Sequence, residues 1–273
     1  MSLSSILKLT ENVSEFRQLI DSIGVGQSRA VVSDAAKPYV MSSLYRQLRK
    51  PLLIVAARAD KARGLKDELS AWLGQDAPLY LFPELDALPY ERLSSSPYTV
   101  AQRLSVLTNF AKTHKSAGYA PLIVTSVQAV MPRIMPYEKY LSCCYEIKRG
   151  AKLDIEKALR DWIGLGYEVA SVVDTPGTLS RRGGIIDIFP PGSKLPARIE
   201  LFGDEVESIR LYDPETQRSS HMASSLSIIP ANDVLADESQ QFDDVDLSML
   251  SADDIEIYRG VLGHDSLIDY LPQ

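Results

Sequence analysis

The chain has 273 residues, 45% of them hydrophobic and 24% charged, with a net charge of −7; this makes one large domain or two modest ones with enough apolar side chain for a core, and excludes a mostly disordered chain. No apolar run approaches the ~20 residues that a membrane helix needs, and the opening MSLSSILKLTENVSEF lacks the cationic start and long apolar stretch of a secretory signal. The two cysteines, Cys143 and Cys144, are sequence neighbours that cannot form an ordinary structural disulfide, so the expectation is a soluble cytoplasmic protein with no membrane partner.

The first ~130 residues alternate between the helical and the strand period. Ser14–Ile23 carries a helical stripe of Phe16, Leu19, Ile20 and Ile23. Arg29–Val32 reads as a short strand and Ala35–Leu48 as a helix with Pro38 in its first turn. Leu52–Ala56 is a continuously apolar strand, Asp60–Leu73 a helix, Leu79–Phe82 a strand, Thr99–Lys112 a helix and Pro121–Thr125 a second buried strand. Strands separated by helices imply a mostly parallel sheet with helices on both faces. The pattern then changes. Leu153–Leu165 reads as one helix, followed by strands over Tyr167–Val173, Gly184–Phe189, Ala197–Phe202 and Val206–Tyr212. The last two form a hairpin around Gly203-Asp204. Further on, Leu226–Ile229 reads as a strand and Asp253–Leu262 as a helix.

Charge is unevenly spread. Residues 1–150 hold 19 basic and 13 acidic side chains, residues 151–232 hold 9 and 12, and residues 233–273 hold 1 and 11. Asp233–Glu256 contains nine acidic residues and no Lys or Arg. Such a run repels phosphate and reads as a solvated connector, or as an acidic surface that docks on a basic one. The basic first part has no stripe of the kind that grips DNA.

Catalytic chemistry is hard to find. A phosphate-binding loop needs glycines for close backbone approach and Lys-Ser/Thr for the terminal phosphate and magnesium. At Val31–Pro38 the motif lysine would be Lys37, but Val31 and Ala36 stand at the glycine positions and Pro38 at the hydroxyl position. Gly24-Val25-Gly26 lacks a preceding strand and the third glycine of a dinucleotide fingerprint. His114, His221 and His264 lie in different pieces without a nucleophile turn, and Asp204 and Glu205 belong to a hairpin turn. The residues imply no cofactor and no metal, and they point towards binding.

In the middle piece, Ser180-Arg181-Arg182-Gly183-Gly184-Ile185-Ile186-Asp187-Ile188-Phe189-Pro190 resembles the "RGGIIDIFP" segment of the transcription-repair coupling factor (Mfd) family, and a related string occurs in UvrB. Leu195–Arg210 (LPARIELFGDEVESIR) is similar to the "P-x-R-I-E-F-F-G-D-E-I-E-S-I-R" run of both families. Phe82-Pro83 with Leu88–Glu91, Arg103-Leu104, Pro121–Thr125 and Ile268–Pro272 keep the order of the coupling-factor family.

The resemblance implies an α/β fold: a degenerate P-loop-type parallel-sheet domain with an inserted antiparallel α+β domain. It divides the chain into residues 1–128, an inserted UvrA-binding domain at 129–216, and an incomplete return into the first domain at 217–273. It implies a non-catalytic module that recruits UvrA in transcription-coupled nucleotide excision repair. The full-length family protein also engages RNA polymerase and double-stranded DNA, with ATP. Carried onto this sequence, the UvrA contacts are Arg182, Phe189 and, beside them, Arg181. An arginine next to an exposed aromatic is the usual composition of an interface hot spot. Many family members place a further arginine just after Gly-Tyr; here Gly166-Tyr167 is followed by Glu168-Val169, and Arg181 is the candidate replacement. Two other readings stay open: a UvrB-like component that uses ATP and contacts damaged DNA, and an unrelated α/β enzyme with a small ligand at its strand ends.

Overall fold

The computed structural model describes residues 3, 5–23, 26–85, 95–113, 120–233 and 267–270. It is a mixed α/β structure with separate parallel and antiparallel sheets. The chain divides into two compact units, one of Met1–Phe82 with Lys112–Ala129 and Leu271–Gln273, the other of Pro83–Ala111 with Val130–Tyr270.

In the first unit a 3-10 turn over Ile6–Asn12 leads into α1 (Ser14–Ile23), followed by α2 (Lys37–Leu48), β1 (Leu52–Ala56), α3 (Ala59–Leu73), β2 (Leu79–Phe82) and β3 (Leu122–Ser126). The strands run parallel in the order β1-β3-β2, with Leu52 and Leu79 both registered on Leu122. β3 is central and buried at all five positions, which is why its sequence is continuously apolar. Ala62 and Leu69 of α3 pack on Leu122 and Val124, with Met41 and Tyr45 of α2 alongside. The strand expected at Arg29–Val32 does not form: these residues join no ladder and Val31 is 93% exposed. Its signal was two valines between charged and polar neighbours, and without a partner strand β propensity alone builds nothing.

In the second unit, α4 (Pro97–Thr113, with its last two residues counted in the first unit) and α6 (Tyr137–Cys143) precede the antiparallel region, while the short α5 (Val127–Val130) belongs to the first unit up to Ala129. Leu104, Leu107 and Phe110 of α4 are fully buried. The Tyr140 hydroxyl donates to the Leu104 carbonyl, and the Tyr270 hydroxyl donates to that of Met135. The Tyr137 and Tyr140 rings meet Tyr270 edge-on at 5.3 and 6.2 Å. This accounts for the Ile268–Pro272 string at Tyr270, which is completely buried.

The antiparallel region contains β4 (Tyr145–Lys148), α7 (Ile155–Gly164), β5 (Glu168–Val169), β6 (Thr178–Arg182), β7 (Ile185–Ile188), β8 (Ala197–Phe202), β9 (Glu205–Tyr212), β10 (Ser219–Met222) and β11 (Ser225–Ile228). Six strands form one sheet in the order β10-β9-β8-β7-β6-β5, and β4 pairs with β11. Only β5 runs parallel to its neighbour. The strand read over Tyr167–Val173 shrinks to Glu168–Val169, because the chain leaves the ladder after Ala170. One face of the six-stranded sheet carries Leu179, Ile186, Ile188, Ala197, Ile199, Val206 and Ile209, packed under Ala158 and Trp162 of α7 and against Ile147, Leu226 and Ile228 of β4 and β11. The expected boundary at residue 216 falls inside this region, since β10 pairs with β9 and β11 with β4. The Leu88–Glu91 string, the helix read at Asp253–Leu262, the acidic run beyond Asp233, His114, His264 and Gly24-Val25 lie outside the described residues.

Candidate functional site

The strand period of two separates the faces of the six-stranded sheet. Directly paired residues share a face, so the register Arg181–Ile186–Ile199–Ile209 belongs to the face under α7. The rows Arg182–Ile185–Glu200–Ser208 and Ser180–Asp187–Arg198–Arg210 belong to the opposite one. That open face is polar and internally paired. Arg198 grips the buried Asp187 carboxylate with both arms, Nε to Oδ1 at 2.7 Å and Nη2 to Oδ2 at 2.9 Å. Its guanidinium also lies 5.1 Å from the centre of the Tyr212 ring. The hydrogen bonds to Asp187 hold the Arg198 pKa above its ordinary value. Glu200 accepts from the Ser208 hydroxyl at 2.7 Å and from Arg210 Nη2 at 2.9 Å.

The structure separates the three residues singled out from the sequence. Arg182 lies on the open face, where its Nη2 donates to the Ser171 carbonyl at 3.0 Å. Arg181, its neighbour in the strand, points to the helix side and pairs with Glu156 of α7, Nη1 to Oε1 at 2.5 Å. Adjacent strand residues point to opposite faces, so Arg181 and Arg182 do not share one. Phe189 is corrected as an exposed anchor: it is 5% exposed and lies within a covered stretch from Ile186 through Pro191. Its backbone continues the β6 pairing, donating to Thr178 and accepting from Gly177.

An exposed aromatic on the six-stranded sheet is Phe202, 82% accessible. It shares the phase of Arg198 and Glu200 along β8 and ends that strand at the Gly203-Asp204 turn, where Gly203 takes φ +64°. Arg182 likewise ends β6 at the Gly183-Gly184 turn. A Cβ on Gly184 would sit 3.2 Å from the Leu201 carbonyl oxygen, so glycine there lets the two turns close side by side. Arg182 and Phe202 therefore stand at one end of the sheet with β7 between them; two strand spacings and a two-residue offset along β8 put them about 12 Å apart. Ile185, 38% exposed, sits beside Arg182 in the row that ends on β8 at Glu200. Phe202 was legible as a residue in phase with two charged ones just before a tight turn. The "DIFP" string drew attention to a phenylalanine that the fold buries.

In the first unit, Val31–Pro38 has no strand before it among the described residues. A 3-10 turn over Asp34–Ala36 runs straight into α2. Lys37 pairs with Asp34 at 2.6 Å and holds that carboxyl below its usual pKa. At the end of β1, Arg58 grips Asp60 at 2.9 and 2.6 Å and holds its pKa to about 2. Both contacts are short-range ion pairs of the protein with itself. Among the described residues no His, Cys, Asp or Glu group could hold a metal, and no helix is long and apolar enough to cross a membrane.

The region is thus a helix-backed antiparallel sheet whose second face carries a paired, partly covered charged network, with the exposed Phe202 at its tip. Residues 145–233, from the first residue of β4 to the residue that closes the region, match the family model of the UvrB interaction domain. The chain is also similar to the transcription-repair-coupling factor of Myxococcus xanthus, 31% identical over 81% of this chain and 19% of that protein. It is 30% identical to that of Bacillus subtilis over 85% of this chain and 20% of the relative, and 30% identical to that of Staphylococcus aureus strain USA300 over 86% and 19%. The chain thus carries a UvrB interaction domain and is related, across more than four fifths of its length, to the transcription-repair coupling factors. It spans about a fifth of the length of these relatives.

Proposed function

We propose that this chain is the N-terminal, UvrA-recruiting module of a transcription-repair coupling factor, and that UvrA docks on the open face of the antiparallel sheet at Arg182, Arg198 and Phe202. The observation that carries this reading is the exposure of Phe202 on the same face as Arg182, within a domain that matches the UvrB interaction family. An aromatic that fills a partner pocket beside a planar guanidinium that takes a carboxylate is the composition that concentrates binding energy. Arg198, fixed by Asp187, holds a second cation on the same face, one row further from the tip than Arg182. RNA polymerase and duplex DNA are partners of the whole family protein, engaged by parts that this chain does not span.

Titration of purified UvrA into the chain tests the reading. The parent is expected to bind, and Arg182→Glu to lose about 2 kcal/mol, roughly 30-fold in Kd. Binding by the variant at parental strength overturns the site.

We further propose that the first unit is a nucleotide fold that has lost its phosphate loop, so that the module has no ATPase of its own. The Lys37–Asp34 pair and Pro38 in the first turn of α2 support this. A colorimetric assay is expected to find no phosphate release above buffer. Release abolished by Lys37→Ala would instead favour the UvrB-like reading.

A further inference from the structure

The open face is not bare across its whole width. After Ala170, whose N–H donates to the Leu179 carbonyl, the chain leaves the sheet edge and returns to it only at Gly177, whose carbonyl accepts from Glu168. Residues 171–176 between these points form a strap. Two side chains of the open face hold its backbone. The Arg182 guanidinium donates to the Ser171 carbonyl at 3.0 Å, and the Tyr212 hydroxyl donates to the Val173 carbonyl at 3.1 Å. Val173 is 1% exposed and Tyr212 is completely buried, so this second attachment is an interior one. Burial raises the Tyr212 pKa, which keeps its phenol a donor at neutral pH. Val172, between the two attachment points, is 48% exposed.

We propose that the strap 171–176 is part of the partner-docking surface: Val172 supplies an apolar contact beside Arg182, and Tyr212 is a positioning residue that holds the strap, and through Ser171 the Arg182 guanidinium, in the docking geometry. The inference rests on the reading that UvrA binds the open face at Arg182 and Phe202. Its occupant is the same partner, because the strap is continuous with that surface through the Arg182–Ser171 hydrogen bond and adds the apolar area that a lone cation lacks. A guanidinium already oriented by a carbonyl loses less rotamer freedom on binding than a free one. The Tyr212 ring that anchors the strap also lies under Arg198, so one buried side chain orients both cations.

The experiment measures UvrA affinity by titration for Val172→Asp, Tyr212→Phe, Arg182→Glu and Phe202→Ala, with a thermal melt of each variant and hydrogen exchange across 171–176 in the unbound chain. Val172→Asp is expected to weaken binding about tenfold with the melting temperature unchanged. Tyr212→Phe is expected to weaken it about fivefold and to raise exchange in the strap while the remaining sheet keeps its protection. Parental affinity in Val172→Asp, while Arg182→Glu and Phe202→Ala lose theirs, overturns the strap and leaves the docking site standing. Parental affinity in all four variants removes the docking site itself. If Tyr212→Phe fails to fold, Val172→Asp alone decides, since its side chain is half exposed.

Discussion

Replacing Arg103 with alanine is expected to cost about 3–5 kcal/mol of stability, the penalty for breaking a buried ion pair from one side. Arg103 is completely buried in α4 and Asp233 is almost so. The guanidinium donates through Nε to Asp233 Oδ2 at 2.6 Å and through Nη1 to the Pro83 carbonyl at 2.8 Å. The backbone carbonyl of Asp233 accepts in turn from the Met135 N–H at 2.7 Å. Arg103 thus pins the residue that ends the antiparallel region to the helix that precedes it, all within the second unit. Alanine leaves a carboxylate in the interior with its charge uncompensated, and that desolvation cost dominates. Thermal denaturation should show a melting temperature lowered by roughly 10 °C. The double variant Arg103→Leu/Asp233→Leu should regain much of the loss, because it removes both charges together. A single variant as stable as the parent would mean that the pair contributes nothing.

The sequence made this clamp half visible. Arg103-Leu104 stood out only as part of a family order, and no local rule says that an arginine in the middle of an apolar helical stripe is buried. The partner lies 130 residues away, beyond any periodicity argument. The repeating elements were more legible. α1, β1, β2 and β8 occupy the predicted residues, since each combines a clear period with a turn or capping signal at its ends. β4, β6 and β10 were missed. Tyr145–Lys148 and Ser219–Met222 have one or two apolar residues each, and Thr178–Arg182 has one. Such strands form because a partner strand offers its backbone, which is a property of the neighbour and not of their own composition.

The candidate site shows the same limit. Asp187, Arg198, Glu200, Ser208 and Arg210 read along the chain as scattered polar residues in strands. Only the register brings them into two rows. Arg181 and Arg182 read as a pair because they are adjacent, and adjacency in a strand sends them to opposite faces.

The two phenylalanines give the sharpest test of how the site is assigned, because burial and exposure predict opposite outcomes for the same substitution. Phe189→Ala removes a ring that is 95% covered and is expected to lower stability by about 3–5 kcal/mol through lost burial and the cavity left behind. UvrA affinity of the fraction that remains folded should stay near the parental value, since the ring does not reach the surface. Phe202→Ala removes a ring that is 82% exposed and should leave the melting temperature nearly unchanged, within about 0.5 kcal/mol. If UvrA docks where we place it, that second variant should lose about 2 kcal/mol of binding, roughly 30-fold in Kd. Chemical denaturation and titration on the same preparations separate the effects, because the denaturation midpoint follows stability and the titration follows the docking surface. Phe202→Ala binding as tightly as the parent would sink the tip of the sheet as the docking point. Phe189→Ala losing affinity without losing stability would restore the buried ring to the interface, and it would require that ring to leave the core when the partner arrives.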